Sequence, residues 1–93
     1  MSNERYASVW DAIEDDPARA ENLKLRLQLM IALTEHFSRE GWSRAQAAKR
    51  LGVTQPQISA LAHGNIELFG LDALVNMAAA AGLRVAMTVE KAA

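Results

Sequence analysis

The sequence predicts an all-α domain of five helices that ends in one β-strand. Three observations lead there. Apolar residues recur at three- and four-residue spacing over most of the chain, the period of one helix face. Gly41, Gly52, Gly64 and Gly82 follow those stripes, where a left-handed residue commonly ends a helix. After Gly82 the period becomes two: Leu83, Val85, Met87 and Val89 alternate with Arg84, Ala86 and Thr88, as in a half-buried strand.

The first helix is expected near the N-terminus, where Tyr6, Val9, Trp10 and Ile13 form one stripe. It reads as a short helix packed on the main domain, or as a docking arm for a protein partner. Residues 1–16 are therefore set apart as an acidic arm or short helix. Asp16-Pro17 then reads as N-cap and first position of a long helix that runs to about Arg39 and closes at Gly41. Leu23, Leu27, Met30, Ile31 and Phe37 share one face of it. Leu25, Leu29, Ala32 and Leu33 fall on roughly the opposite face, so burial on two sides is expected.

Trp42 precedes the third helix as a staple against the core. Ser43 with Gln46 three residues on is a capping box. Ala47, Ala48 and Leu51 face inward and Gly52 stops the helix. Val53 sits in the turn, Thr54 caps the fourth helix, and Pro56 is tolerated in its first turn. Ile58, Leu61 and Ala62 form its inner face, and His63-Gly64-Asn65 ends it. Asn65–Phe69 is a loop or helical turn, with Ile66, Leu68 and Phe69 as core plugs. Gly70 caps a last helix over Leu71–Ala81, with Leu71, Leu74, Val75 and Ala78 inward. Residues 17–82 thus form the main domain, and 83–93 a strand and tail. A lone strand leaves its backbone groups unpaired. The remedy expected is the same strand of a second copy, paired through a face of Leu83, Val85, Met87 and Val89.

Two short helices joined by a tight glycine turn at 43–64 make a helix-turn-helix, whose second helix enters the DNA major groove. Thr54, Gln55, Gln57 and Ser59 are left outward on that helix. Ser43-Arg-Ala-Gln-Ala-Ala-Lys-Arg-Leu-Gly-Val-Thr-Gln-Pro-Gln-Ile-Ser resembles the Xre/Cro-type motif of phage repressors. The longer frame, with Ala18-x-x-Glu-Asn-Leu-Lys-Leu-Arg and Phe69-Gly-Leu-Asp-Ala-Leu, resembles an Xre subfamily that includes HigA-type antitoxins. The resemblance implies a lambda-repressor-like DNA-binding domain. It also implies that Thr54, Gln55, Pro56, Gln57 and Ala60 face or flank base edges. Pro56 and Ala60 depart from the polar residues many relatives carry there.

Charge agrees in its distribution. Residues 1–22 hold two Lys/Arg against six Asp/Glu, whereas residues 23–65 hold six against two. Phosphate contacts need such a basic segment. Gln55 is the first candidate for direct readout, because an amide can pair bidentately with adenine. Gln57 and Ser59 follow, for a base edge or a phosphate. Arg44 stands at a helix N-terminus, suited to phosphate. Lys49, Arg50, His63 and Asn65 are further phosphate candidates.

Composition removes other classes. At 93 residues the chain suits one domain, and at 51% apolar it is globular. The absence of cysteine excludes a disulfide framework or thiolate metal site and fits a reducing cytoplasm, the expected location. No signal-peptide pattern opens the chain, and Lys24, Arg26 and Gln28 interrupt Leu23–Leu33 as a membrane span. His36 and His63 lack partners at metal-ligand spacing. Glu14-Asp15-Asp16 favours a helix N-terminus, and no phosphate loop or nucleophile motif appears. No enzyme activity, metal or cofactor is expected. The expected function is a dimeric, sequence-specific, autoregulatory repressor on double-stranded operator DNA. The alternative is an antitoxin acting mainly by binding a RelE-like ribonuclease toxin, for which the acidic residues 4–21 suit a basic partner.

Overall fold

The computed structural model describes residues 16–92. The Tyr6–Ile13 stripe, and with it the first of the five expected helices, lies outside the described residues. The four others are α1 (Pro17–Glu40), α2 (Arg44–Leu51), α3 (Gln55–Ala62) and α4 (Leu71–Ala80), with a 3-10 turn at Ile66–Leu68.

Helix α1 begins as its first residues dictate. The Asp16 carboxylate accepts the Arg19 N–H at 3.2 Å, and Pro17 occupies a position whose N–H has no helical partner. Its buried residues are Leu23, Met30, Leu33 and Phe37. This corrects the faces assigned to Leu33 and Ile31. Leu33 is four residues before Phe37, about 40° away around the helix, and belongs to the same stripe. Ile31, assigned to that stripe, is 47% exposed, and Leu25 is also exposed. The inward face is set by what the other helices reach, and among the described residues they reach one side.

All three remaining helices pack on or beside that stripe. Met30, Leu33 and Phe37 meet Ala47, Ala48 and Leu51 of α2, Ile58 and Leu61 of α3, and Leu74, Met77 and Ala78 of α4 in one core. In α4, Met77 takes the inward place expected for Val75, which is exposed, and Leu71 is half-buried. Ala62 is exposed on α3, and Ala60 packs against the core from its edge. Of the expected plugs, Phe69 is buried, Ile66 half-buried and Leu68 exposed.

Each helix ends with the same closure. The N–H of the residue after the closing glycine bonds back five residues: Trp42 to Phe37 O (3.1 Å), Val53 to Ala48 O (3.0 Å), Asn65 to Ala60 O (3.0 Å) and Leu83 to Ala78 O (2.8 Å). This geometry needs a left-handed residue just before, and Gly52, at φ 69°, provides it between α2 and α3. Such closures usually carry an apolar contact at the bonding residue. Trp42, Val53 and Leu83 each pack on the core in that role. Trp42 therefore belongs to the end of α1 as much as to the start of α2. The exception is Asn65, polar and exposed, at the end of α3.

Beyond Leu83 the chain runs to residue 92 without turn, bend or ladder. Among the described residues no strand forms, and Val85, Met87 and Val89 are exposed.

Candidate nucleic-acid interface

Helices α2 and α3 are joined by Gly52-Val53-Thr54. Each opens on a complete capping box. Ser43 Oγ accepts the Gln46 N–H at 3.1 Å while Gln46 Oε1 accepts the Ser43 N–H at 2.8 Å. Thr54 Oγ1 accepts the Gln57 N–H at 3.2 Å while Gln57 Oε1 accepts the Thr54 N–H at 2.8 Å. Two donors at each helix start are satisfied within four residues. The second box was readable from Thr54-x-x-Gln57, and it changes the standing of Gln57. The side-chain oxygen of this residue, a candidate for a base edge or a phosphate, is held by its own helix terminus. Its amide nitrogen is the part left to meet DNA.

Ile58 and Leu61 bury the inner side of α3. Gln55, Ser59 and His63, at successive four-residue steps, line the side turned away from them, with Pro56 beside them. Gln55 occupies the first helical position, is exposed, and makes no side-chain hydrogen bond within the described residues. Pro56 follows at a position that needs no N–H donor. Ser59 is half-buried. Its carbonyl lies 2.7 Å from His63 Nδ1, so that nitrogen donates the bond. Asn65 is exposed beyond the helix end, and Ala60 is partly covered by the core.

The basic side chains divide into tethered and open ones. Arg44 leaves the first position of α2 and donates from Nη1 to Ser59 Oγ at 3.0 Å, tying one helix of the motif to the other. The Arg50 guanidinium sits 4.7 Å above the Trp42 ring. Trp42 in turn packs against Phe37 and meets the edge of His36 at 5.3 Å between ring centroids. Lys49 is exposed on the last turn of α2.

Two residues outside the motif fix its exit. Arg26 Nη1 on α1 donates to Ile66 O (3.3 Å) and Phe69 O (3.4 Å), and Arg19 pairs with Glu67 at 3.0 Å. Together they hold the 3-10 turn, and so the path from Asn65 into α4, against α1. Sequence reasoning missed both, because the partners are 40 or more residues away with no local pattern linking them.

Two surface hollows flank the motif. One of about 140 Å³ lies between Thr34, Phe37, Trp42, Arg44, Ile58 and Ala62. Another, of about 310 Å³, is bounded by Leu51, Val53, Gln57, Phe69, Asn76 and Met77. Among the described residues no three His, Cys, Asp or Glu side chains come together as a metal site. No helix among them is long and apolar enough to cross a membrane.

This arrangement is shared with known proteins. A family model described as a helix-turn-helix domain matches residues 12–90. A solved structure described as a candidate XRE family transcriptional regulator is 34% identical and superposes with a TM-score of 0.73, over 80% of this chain and 83% of that one. No curated protein matches the chain. The chain belongs to the helix-turn-helix domain family and, within it, to the XRE family.

Proposed function

We propose that the protein is a sequence-specific DNA-binding transcriptional regulator that acts as a dimeric, autoregulatory repressor. The observation that carries this reading is the outer stripe of α3. Gln55 stands there unengaged at the helix N-terminus, the end that meets base edges in this motif. Arg44, Lys49 and Asn65 are exposed around it, suited to phosphates. Titration of the parent and Gln55→Ala on the duplex upstream of its own gene, and on a random duplex of equal length, tests it. Loss of about 1–3 kcal/mol on the first duplex alone is expected. Equal loss on both would remove Gln55 from base readout, and equal affinity of the parent for both duplexes would end the specific-regulator reading.

Dimerisation completes the reading. One motif makes few contacts, and two half-sites about one DNA turn apart are the usual answer. The alternating segment Leu83–Val89, without a ladder beyond Leu83 among the described residues, supports an antiparallel pairing across a two-fold axis, since one strand meeting its own copy satisfies both.

A second reading is antitoxin action through binding a small basic ribonuclease. The six acidic residues in 1–22 favour it, because they oppose DNA and complement such a partner. Deletion of residues 1–16 should leave DNA affinity unchanged while removing capture of a small basic protein encoded next to this gene. Retained capture would place the partner surface elsewhere.

A further inference from the structure

We propose that Ser59 is a positioning residue for Arg44: its hydroxyl holds the guanidinium across the two motif helices, so that Arg44 is presented to a backbone phosphate beside the bases that Gln55 reads. The inference rests on the DNA-binding reading and assigns Ser59 a different part from the direct contact its outward position suggested.

Four observations carry it. The Arg44 Nη1–Ser59 Oγ bond is 3.0 Å long and joins residues 15 apart on different helices, so it is a tertiary bond and not a by-product of helix geometry. Ser59 is half-buried, which suits a hydroxyl that serves a neighbour better than one that must reach DNA. Ser59 lies one turn beyond Gln55 on the outer stripe of α3, so a guanidinium held there lies next to the base-reading side chain. Arg44 itself is exposed and has no carboxylate partner among the described residues, so its charge is not neutralised.

The physical gain is pre-organisation. Arginine is a long side chain with high rotamer entropy, and a guanidinium already fixed loses less on binding. A serine oxygen takes one of its five N–H groups and leaves the others for a phosphate. The neutral hydroxyl removes no charge, unlike a carboxylate in its place.

A double-mutant cycle tests this. Parent, Ser59→Ala, Arg44→Ala and the double variant are titrated on the upstream duplex and on a random duplex, at several salt concentrations. Circular dichroism confirms that each variant is helical. Ser59→Ala should weaken binding to both duplexes about 3–10-fold, the range of one ordinary exposed hydrogen bond. It should leave the salt dependence unchanged, because the arginine charge remains. Arg44→Ala should lower the salt slope by about one phosphate contact. In the Arg44→Ala background, adding Ser59→Ala should change nothing. Ser59→Thr, which keeps the hydroxyl, should restore affinity, and Arg44→Lys should behave like Ser59→Ala. An equal loss from Ser59→Ala in both backgrounds would mean that Ser59 contacts DNA directly. No loss in the parent background would mean that the bond does not serve binding. Either result removes the positioning role alone. Failure of the parent to bind either duplex would end the DNA-binding reading as well.

Discussion

The helix-turn-helix and the C-terminal segment solve the problem of backbone polar groups in opposite ways. From Ser43 to Asn65 the terminal groups find partners close in sequence: two capping boxes, and closures at Val53 and Asn65. Their apolar residues Ala47, Leu51, Ile58 and Leu61 are nearly fully buried. From Arg84 to residue 92 the chain has no ladder, and Met87 and Val89 are 74% and 86% exposed. The first region is complete within one chain. The second has strand pattern without strand pairing, and its apolar residues stabilise nothing until something covers them. The proposed dimeric reading of DNA would use both, the first region for recognition and the second for pairing.

The largest expected effect breaks the unfinished side. Val85→Asp with Met87→Asp puts two carboxylates on the face proposed to pair, and sedimentation should show monomer. Operator affinity should fall to the non-specific level, a loss of about 4 kcal/mol or more. Both residues are exposed in the single chain, so its helical circular dichroism should persist. A dimer of unchanged strength would move the interface to the exposed side of α1, where Leu25 and Ile31 lie.

The complete side breaks differently. Leu61→Ala removes a buried side chain from the joint between the motif and the core and should destabilise the domain by about 2–5 kcal/mol in urea unfolding. Val89→Ala, equally apolar, should cost the isolated chain nothing measurable. Comparable costs for the two would contradict the contrast between the regions.

Smaller effects sharpen it. A Cβ at Gly52 would meet nothing within 4 Å, so Gly52→Ala isolates the cost of a left-handed backbone, about 1–2 kcal/mol. A shift in urea midpoint well outside that range would mean that the turn relaxes or that space is not open. Thr54→Ala removes the cap of α3 and should cost about 1 kcal/mol. The backbone N–H of residue 54, which Gln57 Oε1 accepts, survives that change, so the lost stability should come without any gain in DNA affinity.

Several elements were legible because their causes are local. Asp16-Pro17, Ser43-x-x-Gln46 and Thr54 name helix starts, and Gly41, Gly52 and Gly82 name helix ends, through bonds that span at most six residues. The site was legible to the same extent. Gln55 is exposed at the first turn of α3 as expected, whereas the Gln57 oxygen is spent in a cap that its own spacing implied. Leu33 and Ile31 were assigned to the wrong sides of α1, since periodicity finds a stripe but several stripes fit so apolar a helix.

By itself the sequence determined where these helices begin and end, that α2 and α3 form a helix-turn-helix, and that Leu83–Val89 has the period of a strand. Short-range bonds and side-chain alternation act between near neighbours, and no distant partner is needed to set them. Only the tertiary structure decided which side of α1 is buried, that Arg26 clamps the 3-10 turn, and that Arg44 rests on Ser59. Those outcomes depend on which surfaces meet when four helices share one core, and residues 15 or 40 apart have no pattern in the chain that foretells their meeting.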